Sequence, residues 1–113
     1  MVVGVRRWEL HLAGCQSLKD KRRIVKSLKD KMHARFNVSA AEVDHQDLWQ
    51  RAAIAAAVVS GDARHAEEVL TSCDNLVQGE PLAHIISAES FRMEEIKRTL
   101  QPAADGAVGG SRV

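Results

Sequence analysis

LWQRAAIAAAVVS, residues 48–60, is the stretch on which the fold turns. Alanine is the best helix former, so the run from Ala52 through Ala57 is open to a helical reading. Two features favour a strand instead. Val58 and Val59 are β-branched and fit a pleated surface better than a helix, and Gly61 follows at once as a breaker. The run is apolar at both parities, whereas an antiparallel strand open to water on one side alternates apolar with polar. A third strand is the expectation for residues 48–60, with its second sheet face at least partly covered.

On the N-terminal side, residues 45–47 offer turn chemistry, because an Asp side chain can bond the local backbone. Residues 37–44, NVSAAEVD, have strand composition with weak alternation, so the two segments read as a hairpin. Further back, Leu18, Val25, Leu28, Met32 and Phe36 recur at helical spacing, and Ile24 widens the stripe. Ser17 is placed as the N-cap of this long helix, which ends about Arg35. Over residues 2–12, Trp8, Leu10 and Leu12 alternate with Arg7, Glu9 and His11, the pattern of a strand with one buried face, ended by Gly14.

On the C-terminal side, Asp62 is a second N-cap, and Ala66, Val69, Leu70, Cys73 and Leu76 or Val77 form an apolar stripe closed by Gly79 and Pro81. Residues 82–91 read as a fourth strand and residues 93–100 as one or two helical turns. The tail PAADGAVGGSRV, residues 102–113, has nothing to anchor it and is expected to be disordered. Strand, helix, strand, strand, helix, strand is the split βαβ order. The predicted fold is therefore α+β and ferredoxin-like: one domain over residues 1–101, with two helices on one face of a four-stranded antiparallel sheet.

Composition agrees with a single soluble core: 113 residues, 45% hydrophobic and 27% charged. No apolar run reaches the roughly 18 residues of a membrane span. The start MVVGVRRW lacks the order of a secretory signal, so the expected location is cytoplasmic. Two cysteines, Cys15 and Cys73, fit neither a disulfide framework nor a zinc knuckle. The net charge of +1 hides an asymmetry. Residues 19–35 hold eight Lys or Arg against two Asp, a local +6, so the rest of the chain carries −5.

The segments SLKDKRRIVKSLKDKM and RFNVSAAEVDHQDLWQRAAIAAAVVS closely resemble the bacterial YlxP-like proteins, a family of unknown function. The likeness runs from about Val2 to Phe91. Its most specific parts are Ser17-Leu18-Lys19 with Lys21-Arg22, Phe36-Asn37-Val38-Ser39, and Glu42-Val43 through Trp49-Gln50-Arg51. The resemblance implies a ferredoxin-like domain, often encoded among genes for translation initiation and ribosome maturation. It implies no activity, so no catalytic residue carries over. Arg6-Arg7, where such proteins are often more apolar, and Cys15 depart from the pattern.

The basic helix is the leading functional candidate. Lys19, Lys21, Arg22, Arg23, Lys26, Lys29, Lys31 and Arg35 are predicted to neutralise phosphates of ribosomal RNA or a ribonucleoprotein. A merely solvated polar face is the competing reading, since Lys and Arg are good helix formers. The alternative function is a scaffolding homodimer whose helix binds an acidic protein. Dimerisation is expected through the open sheet face, at Trp49, Arg51, Ala53, Ala55 and Ala57, with Trp8 and Trp49 as core and interface anchors. RNA-base stacking on the sheet is disfavoured, because the chain has no Tyr and only two Phe and two Trp. The hairpin cluster Glu42, Asp44, His45, Asp47 and Gln50 has the residue types of an acid–base or metal site, but turns use the same residues and no HxxxH or HExxH spacing occurs. No nucleotide-binding loop, cofactor, metal, membrane or small-molecule partner is indicated, and no enzyme activity is expected.

Overall fold

The alanine-rich run is a strand. In a computed structural model, which describes residues 1–94, the elements are β1 (Val2–His11), α1 (Leu18–Arg35), β2 (Ser39–Asp44), β3 (Arg51–Ser60), α2 (Ala63–Gln78) and β4 (His84–Glu94). The four strands form one antiparallel sheet in the order β2-β3-β1-β4, and the fold is α+β and ferredoxin-like. β3 lies inside the sheet, hydrogen-bonded to β1 on one side and β2 on the other.

The two parities of each strand have different neighbours. Val2, Gly4, Arg6, Trp8 and Leu10 of β1 and Ala52, Ile54, Ala56 and Val58 of β3 are buried on the face that carries both helices. Against them pack Val25, Leu28 and Met32 of α1 and Ala66, Leu70, Cys73 and Val77 of α2. Helix α2 passes close over β1: a Cβ on Gly4 would lie 3.1 Å from Leu70 Cδ1. Both expected caps form. Ser17 Oγ accepts from Asp20 N at 3.1 Å, and Asp62 Oδ1 accepts from Arg64 N at 3.0 Å. Each such cap stabilises its helix by about 1 kcal/mol.

A partly buried ionic knot borders this core. Trp8 is fully buried, and its indole N–H donates to Asp74 Oδ1 at 2.8 Å. Arg6 shares the Trp8 face and spends its guanidinium on Asp74 (2.7 Å), Glu67 (2.7 Å) and Ser90 Oγ (2.8 Å). One side chain of β1 thereby ties α2 to β4, and its charge is met by two carboxylates, the condition under which a buried arginine is tolerable.

Several boundaries differ from the sequence expectation. β2 starts at Ser39 and β3 at Arg51, so Leu48 and Trp49 belong to the connecting loop. β4 continues through Met93 and Glu94, where helical turns were expected, because those residues still pair with Val3 and Val2. The remainder of that expected helix, the end of the expected domain at residue 101 and the expected disordered tail lie outside the described residues. No helix among the described residues is long and apolar enough to cross a membrane.

Candidate nucleic-acid interface

The basic residues of α1 do not form one patch. At 3.6 residues per turn, positions 22, 26, 29 and 33 share one flank, positions 19 and 23 the outer ridge, and positions 31 and 35 the opposite flank. The surroundings agree. Arg22, Lys26, Lys29 and His33 line a groove of about 380 Å³ with Val25, Asp30 and Glu42, between α1 and β2. Arg23 lines a separate hollow with Cys15 and Leu82, while Lys31 and Arg35 lie beside Asn75, Gly79 and Glu80 at the end of α2.

Lys21 is not on the surface at all. It is fully buried, and its ammonium donates to the carbonyl oxygens of His45 (2.6 Å), Gln46 (3.2 Å) and Arg51 (3.3 Å). Glu42 Oε2 sits 2.8 Å from the same nitrogen, as an ion pair rather than an aligned hydrogen bond. This corrects the expectation that Lys21 meets a phosphate. The signal was in the spacing, since 18, 21, 25, 28 and 32 step by three and four and put position 21 in the core stripe.

Within the groove, Lys26 pairs with Asp30 at 2.6 Å, an exposed i,i+4 contact. That contact holds the Asp30 carboxyl below its usual range. Arg22 and Lys29 make no ion pair among the described residues, and neither do Lys19, Arg23, Lys31 and Arg35. Counting Lys21, four cations meet the two carboxylates Asp30 and Glu42, an excess of two. His33 Nε2 accepts the Ala40 N–H at 3.2 Å. Its other ring nitrogen then carries the proton of the neutral form and is left as a donor.

The sheet face opposite the helices is roofed at one end by a second ionic group. Glu9 accepts from Arg51 at 2.8 Å, with His45 Nε2 at 3.0 Å and Arg7 at 2.9 Å, and Arg7 also reaches Asp44 and Glu89. The Arg51 hydrogen bond outweighs burial and holds the Glu9 carboxyl below its usual range. His45 occupies the left-handed region at φ 62°, one of the residue types that tolerates it. Beneath this roof Ala53 is fully buried, and Trp49 stands half-exposed on the loop. Ala53 does not fit the expected interface, because it is already covered within its own chain, whereas Trp49 is exposed but lies on the loop before β3 rather than on the strand. Arg51, Ala55 and Ala57 do face the open side.

The expected hairpin cluster is divided by the sheet. Glu42 points to the helix side and pairs with Lys21, whereas Asp44 and His45 join the Glu9 group on the open side. Among the described residues no group of three His, Cys, Asp or Glu side chains is placed to hold a metal ion. Both cysteines are buried as free thiols. Burial and then Asp74 push the Cys73 thiol up to about 11, and burial with Asp20 raises Cys15, so both are poor nucleophiles.

Residues 3–90 match the family model described as protein of unknown function DUF503. The chain is also 33% identical over 69 residues to the uncharacterized protein YlxP of Bacillus subtilis (strain 168), covering 61% of this chain and 75% of that protein.

Proposed function

The chain belongs to the DUF503 family of proteins of unknown function, and we propose that it is a non-enzymatic cytoplasmic module that contacts the phosphate backbone of ribosomal RNA or a ribonucleoprotein. The contact is made through the β2 flank of α1. The observation that carries this reading is the groove in which Arg22, Lys26 and Lys29, together with the free ring donor of His33, lie along one side of a helix. Arg22 and Lys29 are seven residues apart, about 10 Å of helix axis, or roughly three steps of a nucleic-acid strand. Three cations over that length can meet phosphates along a single stretch of backbone. Recognition of structured RNA rests on shape and backbone contact, which needs charge in register rather than a catalytic constellation.

The test is salt-dependent binding to RNA. Replacing Arg22, Lys26 and Lys29 together by Gln should weaken binding to all RNA sequences alike. The slope of log affinity against log salt should fall by about 2, at roughly 0.7 per lost contact. All three side chains are wholly or partly exposed, so each change should alter stability by no more than about 0.5 kcal/mol. A folded triple variant with wild-type affinity and slope would return this flank to a solvated helix surface.

A further inference from the structure

The open sheet face changes character along its strands. Toward the β2–β3 loop it carries the Glu9 group, whose charges are spent on one another. Toward the other end the register brings Val3 opposite Val59 and Met93, and Val5 opposite Ala57 and Phe91. That end bears no charged side chain on these three strands. Val59 is 65%, Phe91 58% and Met93 63% exposed, with Val59 on one side of Val3 and Val5 and the β4 pair on the other.

We propose that a second copy of the chain covers this face, packing sheet on sheet with its own apolar end. Three observations select a second copy over other occupants. The patch is uncharged, so it offers nothing to the acidic or basic partners that the rest of the surface would steer. The ionic end sets Arg7 and Arg51 against Glu9, Asp44 and Glu89, and so leaves a stacked copy only a small net negative charge to oppose. The size is also sufficient. Strands about 4.8 Å apart, ten residues long in β1 and β3, eleven in β4 and six in β2, give a face on the order of 600 Å². Two such faces therefore bury roughly 1,200 Å², the lower bound of stable protein interfaces. A twofold axis running along the strands lays apolar on apolar, giving an isologous contact that closes at two copies. An interface at that lower bound predicts a dimer in exchange with monomer.

This inference does not depend on the RNA reading, and its test keeps the two apart. Nuclease-treated protein at high salt is sedimented over a range of micromolar concentrations, with Val59→Glu/Phe91→Glu as one variant and Met93→Lys as a second. The wild type should move from monomer to dimer as concentration rises. Each variant should stay folded, since the altered side chains are exposed, and should raise the dimer dissociation constant by more than about a hundredfold, because a charge would be buried unpaired. A wild type that remains monomeric throughout overturns the proposal, and is the result expected if residues 95–113 of the same chain cover the patch. Variants that dimerise like the wild type overturn it too, by placing the interface elsewhere.

Discussion

Lys21 is the residue whose chemistry departs furthest from its type. Its ammonium fixes the loop between β2 and β3 from beneath, joining three carbonyl oxygens and Glu42 to the first turn of α1. Lys21→Met keeps the apolar stem but leaves a largely buried carboxylate and three carbonyls without their cation, so a loss of about 3–5 kcal/mol is expected by denaturant unfolding. Pairing it with Glu42→Gln should restore a measurable part of that loss, which a double-mutant cycle reads directly. A Lys21→Met protein as stable as wild type would mean the ammonium is not holding the loop. Here the sequence was legible in period but not in chemistry. The three-and-four stepping of 18, 25, 28 and 32 admits position 21 to the core stripe, but lysine by type belongs in water and was read as a phosphate contact, and only the carbonyls of residues 45, 46 and 51 explain why the period prevails. Arg6 repeats the lesson. It has the parity of Trp8, but its partners Glu67 and Asp74 lie more than sixty residues away on α2, beyond anything that local pattern reveals.

The elements themselves were largely written in local signals. Ser17 and Asp62 sit where a capping side chain is needed, and the apolar stripes of α1 and α2 match the residues that are buried. Strand ends were harder to read, because Leu48 and Trp49 have strand composition but project from a loop, and β4 extends only because β1 is long enough to pair with it. The distribution of charge around α1 was hidden as well. A count of +6 treats eight cations as one surface, whereas the helix distributes seven of them over two flanks and a ridge and buries the eighth. This division supplies a control for the phosphate reading. Lys31→Gln/Arg35→Gln removes two charges from the flank beside Glu80, away from the groove. It should leave the affinity for RNA within about twofold, while Arg22→Gln/Lys29→Gln reduces both affinity and salt slope. Equal losses from the two pairs, measured at one salt concentration and across a salt series, would show that bulk charge rather than the groove governs binding.

For the whole molecule, two groups on opposite faces of the sheet contribute to the pH dependence of stability. Glu9, on the open face, has its carboxyl depressed by the Arg51 hydrogen bond, with His45 and Arg7 adding to it. A depressed carboxyl contributes stability that is present above its unfolded value near 4.5 and lost as pH falls through the folded value. Cys73, on the buried side of α2, has the opposite sign. Its thiol rises from 9.0 to about 11 because burial disfavours the thiolate and Asp74 repels it. The folded chain therefore holds a proton that the unfolded chain releases, so stability complete below pH 9 declines as pH rises toward 11. Unfolding free energy measured from pH 3 to pH 11 should form a plateau with one falling limb at each end. Glu9→Gln should flatten the acid limb, because the substituted side chain no longer changes charge there. Cys73→Ala should reduce the slope of the alkaline limb by close to one proton per molecule while lowering the plateau through the space it leaves in the core. An alkaline limb of unchanged slope in Cys73→Ala would move that proton to another group, and an acid limb unchanged in Glu9→Gln would mean the cluster over Ala53 contributes nothing to folding.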